Sequence, residues 1–243
     1  MTYFKNHSFA YSRRILAFID ILGFADTVER SARSASSMEL VLELLDANSK
    51  FKQFFDKFIN DEKKASFAEA SFFSDTFILS MSDEKIIYLL REIGNLYRHL
   101  LLRGLACRGA VVTGLLFHRE QYIVGPALVD AYRLEQNVAV YPRIMIDEQS
   151  LLLWRQETQI GSATEDVATI VKTDADGHAF LDIFDPAWSN FLNPYGDDVS
   201  WNPIANYAEE ARPAIAVQLK HSAENQRVRE KYEWLEAQRR KYA

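Results

Sequence analysis

Short runs of apolar residues alternate with helical patterns along the chain, and the spacing within each run predicts its structure. The run at residues 14–21 is rich in β-branched and aromatic residues and stops before Gly23, which is typical of a buried strand followed by a turn. Two more runs, at residues 67–73 and 77–81, flank Asp75 and predict an antiparallel hairpin with that residue at or near its tip. Further strands are predicted at residues 107–117, 122–124, 143–146, 167–172 and 179–183.

Helices are predicted between these strands. Apolar side chains recur at helical spacing over residues 37–59 and 86–102. Gly125-Pro126 opens another helix, which runs to about Val138, because proline suits the first turn of a helix. The resulting order, β-α-β-β-α-β-α-β, contains the ferredoxin-like βαββαβ unit. The sequence therefore predicts an α+β fold with extra C-terminal strands.

The last part of the chain is predicted to form a helical arm. Residues 224–240 carry many charges, with Trp234 and Leu235 at helical spacing, which indicates an amphipathic helix that packs on its own subunit or on a partner subunit. No internal repeat or low-complexity linker divides the chain. We therefore expect one domain over residues 1–200 and a C-terminal helical extension over residues 201–243.

Composition narrows the classes of function. The hydrophobic content of 48% is enough for a substantial core. The net charge of −6 argues against a dedicated nucleic-acid binder, because such proteins rely on clustered Lys and Arg. With Cys107 as the single cysteine, no disulfide can form within the chain. No stretch reaches the length of about 18 apolar residues needed to span a bilayer, and no signal-peptide pattern is present. We therefore expect a cytoplasmic protein that does not bind a membrane, and the net charge adds the expectation that it does not bind nucleic acid.

Candidate chemistry lies at the ends of two predicted strands. Asp20 follows an apolar strand, where an isolated carboxylate is costly to bury unless it is paired or bound to a metal. Asp75 lies in the same situation on the hairpin, and two such carboxylates at adjacent strand ends can hold two divalent cations. Taken alone, Asp20 fits a turn or capping role equally well. The Gly23 turn offers backbone N–H groups for phosphates, although a tight turn without a ligand has the same pattern.

Four motifs, in order, resemble those of the class III nucleotidyl cyclases. FIDILGF at residues 18–24 resembles the first metal motif of that family, and FSD at residues 73–75 resembles the second. RGAVVTG at residues 108–114 is similar to the family strand with Arg at its start and Thr-Gly at its end. The stretch from Gly125 to RLE at residues 133–135 is similar to the following helix. The resemblance covers roughly residues 14–147 and implies the cyclase type of βαββαβ core.

The resemblance implies specific roles at the matching positions. Asp20 and Asp75 are expected to bind two divalent metal ions, Mn²⁺ or Mg²⁺, with help from the backbone carbonyl of Ile21. Backbone N–H groups are expected to hold a nucleoside triphosphate, and Arg133 of a partner subunit to stabilise charge on the α-phosphate. The family therefore implies a homodimer with its active sites at the interface. The backbone N–H groups expected to hold the triphosphate are those of Leu22, Gly23 and Phe24.

Three positions depart from the family pattern. Val129 stands where the family has a transition-state Asn, and its side chain donates no hydrogen bond. Ser71 and Tyr122 stand where adenylate cyclases have the Lys and Asp that recognise adenine. A tyrosine ring with a small hydroxyl suits a smaller base, although both residues also fit ordinary strand positions.

The altered base positions resemble the stand-alone pyrimidine cyclases of the bacterial Pycsar anti-phage system. That likeness implies conversion of UTP to 3′,5′-cyclic UMP and pyrophosphate, with cyclic CMP from CTP as the alternative. Two other classes remain: a non-catalytic nucleotide-binding, cyclase-like dimerisation module, and a metal-dependent phosphotransferase on the same sheet topology. Outside the motifs, His118 and Glu120 are predicted to lie in a solvent-exposed turn.

Overall fold

Eight strands and seven helices are present in the residues that the structure, a computed structural model, describes: 10–46, 68–119, 122–160, 169–190 and 206–243. The strands are β1 (Ser12–Ile21), β2 (Ala68–Phe73), β3 (Thr76–Ser82), β4 (Cys107–Arg119), β5 (Tyr122–Val124), β6 (Ile144–Ile146), β7 (Val171–Thr173) and β8 (Ala179–Leu181). The helices are α1 (Phe24–Ser31), α2 (35–46 as described), α3 (Ile86–Leu101), α4 (Pro126–Asn137), α5 (Glu148–Ile160), α6 (Tyr207–His221) and α7 (Gln226–Arg239).

The sheet confirms the predicted α+β class. Its strand order is β2-β3-β1-β4-β6-β8-β7, with β5 paired to β4. Strand β1 pairs antiparallel with both β3 and β4, and β2 pairs antiparallel with β3, so β2-β3-β1-β4 is the ferredoxin-like arrangement. Strand β6 extends it in parallel to β4, and the β8–β7 hairpin completes the edge.

The two faces of the sheet are covered differently. Because side chains alternate along a strand, Ile15, Ala17, Ile19 and Ile21 of β1 all enter the main core, which α3 covers. The intervening residues face α4, where Leu16 packs in a smaller core with Ala127 and Ala131. We call this second side the α4 face. It carries Asp20 at the end of β1.

The C-terminal arm is part of the main core. Leu235 of α7 and Ile215 of α6 are fully buried there. Two tyrosine hydroxyls fix the helices, since Tyr207 donates to the Arg98 carbonyl oxygen at 2.9 Å and Tyr232 to that of Gly104 at 3.2 Å. The predicted amphipathic helix therefore packs on its own subunit. The predicted domain boundary at residue 200 lies outside the described residues.

Several expectations need correction. Helix α5 was not predicted, because its apolar residues 151–154 are contiguous and give no helical period. Strand β4 continues to Arg119, so His118 lies within the strand and is buried rather than exposed in a turn. Glu120 and the end of the helix predicted at 37–59 lie outside the described residues. No helix within the described ranges is long and apolar enough to cross a membrane.

Candidate metal and nucleotide site

Asp20 and Asp75 lie at the same end of neighbouring strands. Asp20 is paired with Thr76 in the ladder between β1 and β3, and Asp75 is the residue before Thr76. The backbone N–H of Ile21 donates to the carbonyl oxygen of Asp75 at 3.1 Å, which ties the hairpin tip to the end of β1. Ser74, in the left-handed region at φ 56°, makes the tight turn that carries Asp75. The two carboxylates are therefore neighbours in the fold.

The turn after β1 leads directly into α1. Gly23 has φ 75° and stands at the N-terminal cap of α1, and no atom lies within 4 Å of the position that a Cβ would occupy. This open space beside a helix N-terminus is the kind of place where an oxyanion fits. The three predicted phosphate donors are not equivalent, however. The N–H of Leu22 already donates to the Ala106 carbonyl oxygen at 2.8 Å, while phosphate binding by Gly23 and Phe24 stays a prediction.

Arg108 links Asp20 to a second, fully buried carboxylate. Its Nε lies 3.2 Å from Asp20 Oδ2 and 2.6 Å from Glu135 Oε1. The contact with Glu135 is an ion contact without good hydrogen-bond alignment, while Glu135 Oε2 accepts from Gln136 at 2.8 Å. Glu135 is 0% exposed, so its charge depends on Arg108 for compensation.

Burial governs the protonation of this cluster. It raises the pKa of Asp20 above the ordinary value for aspartate; Arg108 opposes the shift and Asp75 adds to it. Burial likewise raises the pKa of Glu135, against the attraction of Arg108. Lys231 of α7 adds a second positive charge that lowers the pKa of both carboxyls. Arg108 and Glu135 lie in the cyclase-like motifs, but the resemblance implied no role for either, and no pattern in the charged arm distinguishes Lys231 from its neighbours.

The donor set fits hard divalent cations such as Mg²⁺ or Mn²⁺. Both side chains are carboxylates, and Arg108 contacts Asp20 through Oδ2. No group of three or more His, Cys, Asp or Glu side chains with metal-site geometry occurs within the described ranges. Two carboxylates alone leave most coordination positions of such an ion to other oxygens, as is usual for Mg²⁺ bound together with substrate phosphates.

Arg133 is not part of this cluster within one chain. Its side chain is 69% exposed on α4, and its ion-pair partner is Asp130 of the same helix, at 3.8 Å. Val129 is also exposed on α4. Tyr132 packs edge-on against Phe18 of β1, with ring centroids 6.1 Å apart, so Tyr132 lies near the Asp20 end of the α4 face. The role of Arg133 at an Asp20–Asp75 site, supplied by a partner subunit, stays a prediction.

Of the two candidate base-recognition residues, Ser71 contacts His118, whereas Tyr122 pairs with Arg119, which alternates to the other face of β4. Ser71 Oγ lies 2.9 Å from His118 Nε2, and His118 pairs with Ile123, the residue after Tyr122. Both Ser71 and Tyr122 are half-buried. The alternation along β4 could have predicted the burial of His118. Alternate residues of a strand lie on the same face, and on this face Ala110, Val112 and Leu116 are all buried.

Comparison with known proteins gives distant structural likenesses. No protein-family model matches the chain, and no curated protein matches it. Among solved structures, the adenylyl cyclase CyaB from P. aeruginosa is 18% identical, with a TM-score of 0.45 over 61% of this chain and 84% of that one. A bacterial light-regulated adenylyl cyclase is 17% identical, with a TM-score of 0.44 over 61% of this chain and 46% of that one.

A third solved structure matches a larger part of this chain. It is a class III adenylyl cyclase-like ATP-binding protein from Pseudomonas aeruginosa, 14% identical, with a TM-score of 0.47 over 90% of this chain and 47% of that one. This chain thus spans about half the length of that protein and of the light-regulated cyclase. At these identities the likenesses assign no role to any residue of this chain.

Proposed function

We propose that this chain is a nucleotide cyclase that converts UTP to 3′,5′-cyclic UMP and pyrophosphate. The observation that carries the proposal is the pairing of Asp20 and Asp75 at one sheet end, beside the Gly23 turn that opens α1. Two carboxylates beside an oxyanion-binding turn are the parts that metal-assisted phosphoryl transfer needs. The four cyclase-like sequence motifs supply the reaction type.

Each group has a definite task in the proposed reaction. Asp20 and Asp75 hold two divalent ions, which supply charge neutralisation on the phosphates and activation of the ribose 3′-hydroxyl. The N–H groups of Gly23 and Phe24 orient the triphosphate. The 3′-oxygen forms a bond to the α-phosphorus as the bond to the β-phosphate bridging oxygen breaks, and the hydroxyl proton is lost to solvent. Arg133 of a partner subunit stabilises the charge that develops on the α-phosphate.

A homodimer is part of the proposal. Large apolar side chains are exposed at the hairpin tip and on α4: Phe73 is 82% exposed at the tip, and Tyr132 and Val129 are about half exposed on the helix. A second copy seated here would cover these side chains and bring its own Arg133 to the site. The proposed product, a cyclic pyrimidine nucleotide, would act as a second messenger in defence against phage.

Product analysis tests the proposal directly. The purified chain is incubated with ATP, GTP, CTP or UTP and Mn²⁺, and the products are identified by mass spectrometry. We expect cyclic UMP from the wild type and none from Asp75→Asn. Asp83→Asn is the matched control, because Asp83 follows the other end of β3 and pairs with Arg13. A cyclic product that persists in Asp75→Asn would refute the assigned site. Cyclic CMP as the main product would show that the substrate is CTP rather than UTP.

Val129 favours one second candidate, a cyclase-like module that binds a nucleotide without turning it over. This side chain offers no hydrogen bond where the family has its transition-state Asn. Nucleotide and metal binding by a folded dimer, with no pyrophosphate released from any nucleotide, would favour this module over the cyclase.

A further inference from the structure

The basic residues of α7 differ in whether their charge is paired. Arg229 and Arg239 each contact a glutamate of the same helix at 2.8 Å. Arg227 and Lys231, one turn apart on the same face of the helix, make no hydrogen bond or ion pair in the part of the chain that the structure describes. Arg227 is exposed, but Lys231 is half-buried, so its ammonium group lies against the protein without a direct partner.

The residue after Lys231 fixes this part of α7 at the sheet end that carries Asp20. The Tyr232 hydroxyl donates to the Gly104 carbonyl oxygen at 3.2 Å. Two residues further on, the Ala106 carbonyl oxygen accepts from the N–H of Leu22 at 2.8 Å. Lys231 therefore lies near the segment that binds the turn after β1.

The next turn of α7 fixes the helix beside α4. Trp234 lies three residues after Lys231, on the same face of the helix. Trp234 and Leu134, the neighbour of Glu135, pack against one small core, formed by Ala139, Met145 and Phe180. The ammonium group of Lys231 is thus held between the turn after β1 and the end of α4, and its charge acts on the carboxyls of Asp20 and Glu135.

The positive charge of Lys231 is only partly balanced by these carboxyls. Burial lowers the pKa of Lys231, the charges of Arg108 and Arg227 lower it further, and Asp20 and Glu135 oppose the shift. Both carboxyls are already in contact with Arg108. Divalent ions bound to Asp20 and Asp75 would also use the charge of those carboxylates, which leaves Lys231 in need of another anion.

We infer that Lys231 binds the terminal phosphates of the nucleotide, so that the C-terminal arm supplies part of the active site of its own subunit. The inference rests on the proposed function for the place of the triphosphate, at the N–H groups of Gly23 and Phe24. An ammonium group offers three hydrogen-bond donors and a full positive charge, which suit phosphate oxygens. The ligand class is a polyphosphate, either attached to a nucleoside or free.

Binding of inorganic tripolyphosphate in saturating Mn²⁺ tests this role without any turnover. Calorimetry with the full chain should show about tenfold weaker binding for Lys231→Met, equal to about 1.4 kcal/mol. Lys231→Arg should retain most of the affinity, because a guanidinium group also binds phosphate. Arg229→Met is the matched control, since it removes the same charge from the same helix at a residue paired with Glu233. Equal affinity of the wild type and Lys231→Met, or no binding by the wild type, would overturn the inference.

A comparison of UTP with UMP separates phosphate binding from a structural role of Lys231. UMP has no terminal phosphates, so Lys231→Met should weaken UTP about tenfold and leave the affinity for UMP unchanged. A lysine that only stabilises the fold would affect both nucleotides alike. Equal weakening of UTP and UMP would therefore contradict the assigned contact.

The reactivity of Lys231 in the unaltered protein gives a test that does not depend on the folding of a variant. Surface amines are acetylated with and without Mn²⁺ and tripolyphosphate, and the modified lysines are quantified by mass spectrometry. The ligand should protect Lys231 and leave Lys220, which is exposed near the end of α6, as reactive as before. Equal modification of Lys231 in the two samples would overturn the inference.

Failure of the proposed function is distinguishable from failure of the inference. If the wild type forms no cyclic product but binds UTP and tripolyphosphate, and Lys231→Met weakens both, the cyclase proposal falls and the inference stands. If the wild type forms cyclic product while Lys231→Met binds tripolyphosphate as the wild type does, the cyclase proposal stands and the inference falls.

Discussion

Replacing Arg108 by methionine should strongly destabilise the protein, because it leaves a buried carboxylate without the cation that contacts it. Glu135 is fully buried, and Asp20, the other partner of Arg108, is 21% exposed. Removing one partner of a buried ion pair costs about 3–5 kcal/mol, a large part of the roughly 5–15 kcal/mol by which a domain is stable. We expect Arg108→Met to lose stability in that range at pH 7.

A double-mutant cycle measured by urea unfolding isolates the interaction. Arg108→Met combined with Glu135→Gln should recover at least about 2 kcal/mol of the loss, since the new amide would carry no charge and could still accept from Gln136. Arg30→Met is the control, because Arg30 pairs with Asp26 at the surface, where such pairs contribute at most about 1 kcal/mol. A single-variant loss below about 1 kcal/mol, or a double variant no more stable than Arg108→Met, would refute the argument.

The pH dependence of the same loss provides an independent check. Burial raises the pKa of Glu135 in the folded state, and removing Arg108 raises it further. A carboxyl group whose pKa is raised on folding reduces the stability of the folded state at pH values above its folded pKa. Below the unfolded value of about 4.3 the group is protonated in both states, and this loss of stability disappears. The deficit of Arg108→Met should therefore be full at neutral pH and shrink as the pH falls toward 4. A deficit that grows with acid would have the wrong sign.

Three further predictions concern the site and the fold. Because burial raises the pKa of Asp20, acid should weaken Mn²⁺ binding at a higher pH than it would with an ordinary aspartate as ligand, as measured by calorimetry; Asp20→Asn should weaken binding at neutral pH and remove this part of the pH dependence. Gly125→Ala should lower the thermal midpoint by several degrees, since a Cβ would lie 2.6 Å from the Leu115 carbonyl oxygen at φ 153°; an unchanged midpoint would contradict this. Leu235→Ala should cost about 2–5 kcal/mol in urea unfolding if α7 is part of the core, and little if the arm is peripheral.

Much of the fold could be predicted from the sequence because the informative patterns are local. The alternation of apolar residues in β1 and the position of Asp75 between two strand-like runs identify both strand ends without any knowledge of pairing. Strand β8 and the helical arm also follow from local spacing, whereas β7 begins at Val171, later than the strand predicted at residues 167–172. Helix α5 has no such pattern, because its burial comes from contacts with α3 and β4 rather than from a regular stripe.

The sequence by itself determined which residues carry candidate chemistry, and the tertiary structure decided how they are connected. Asp20, Asp75 and Ser71 are recognisable one by one from their places relative to strands and motifs. The link from Arg108 to Glu135, and the link from Ser71 to His118, join residues tens of positions apart. Such contacts depend on strand order and on how β4 and α4 lie across the sheet, and no local spacing encodes them. The charge balance of the site is therefore a property of the folded chain alone.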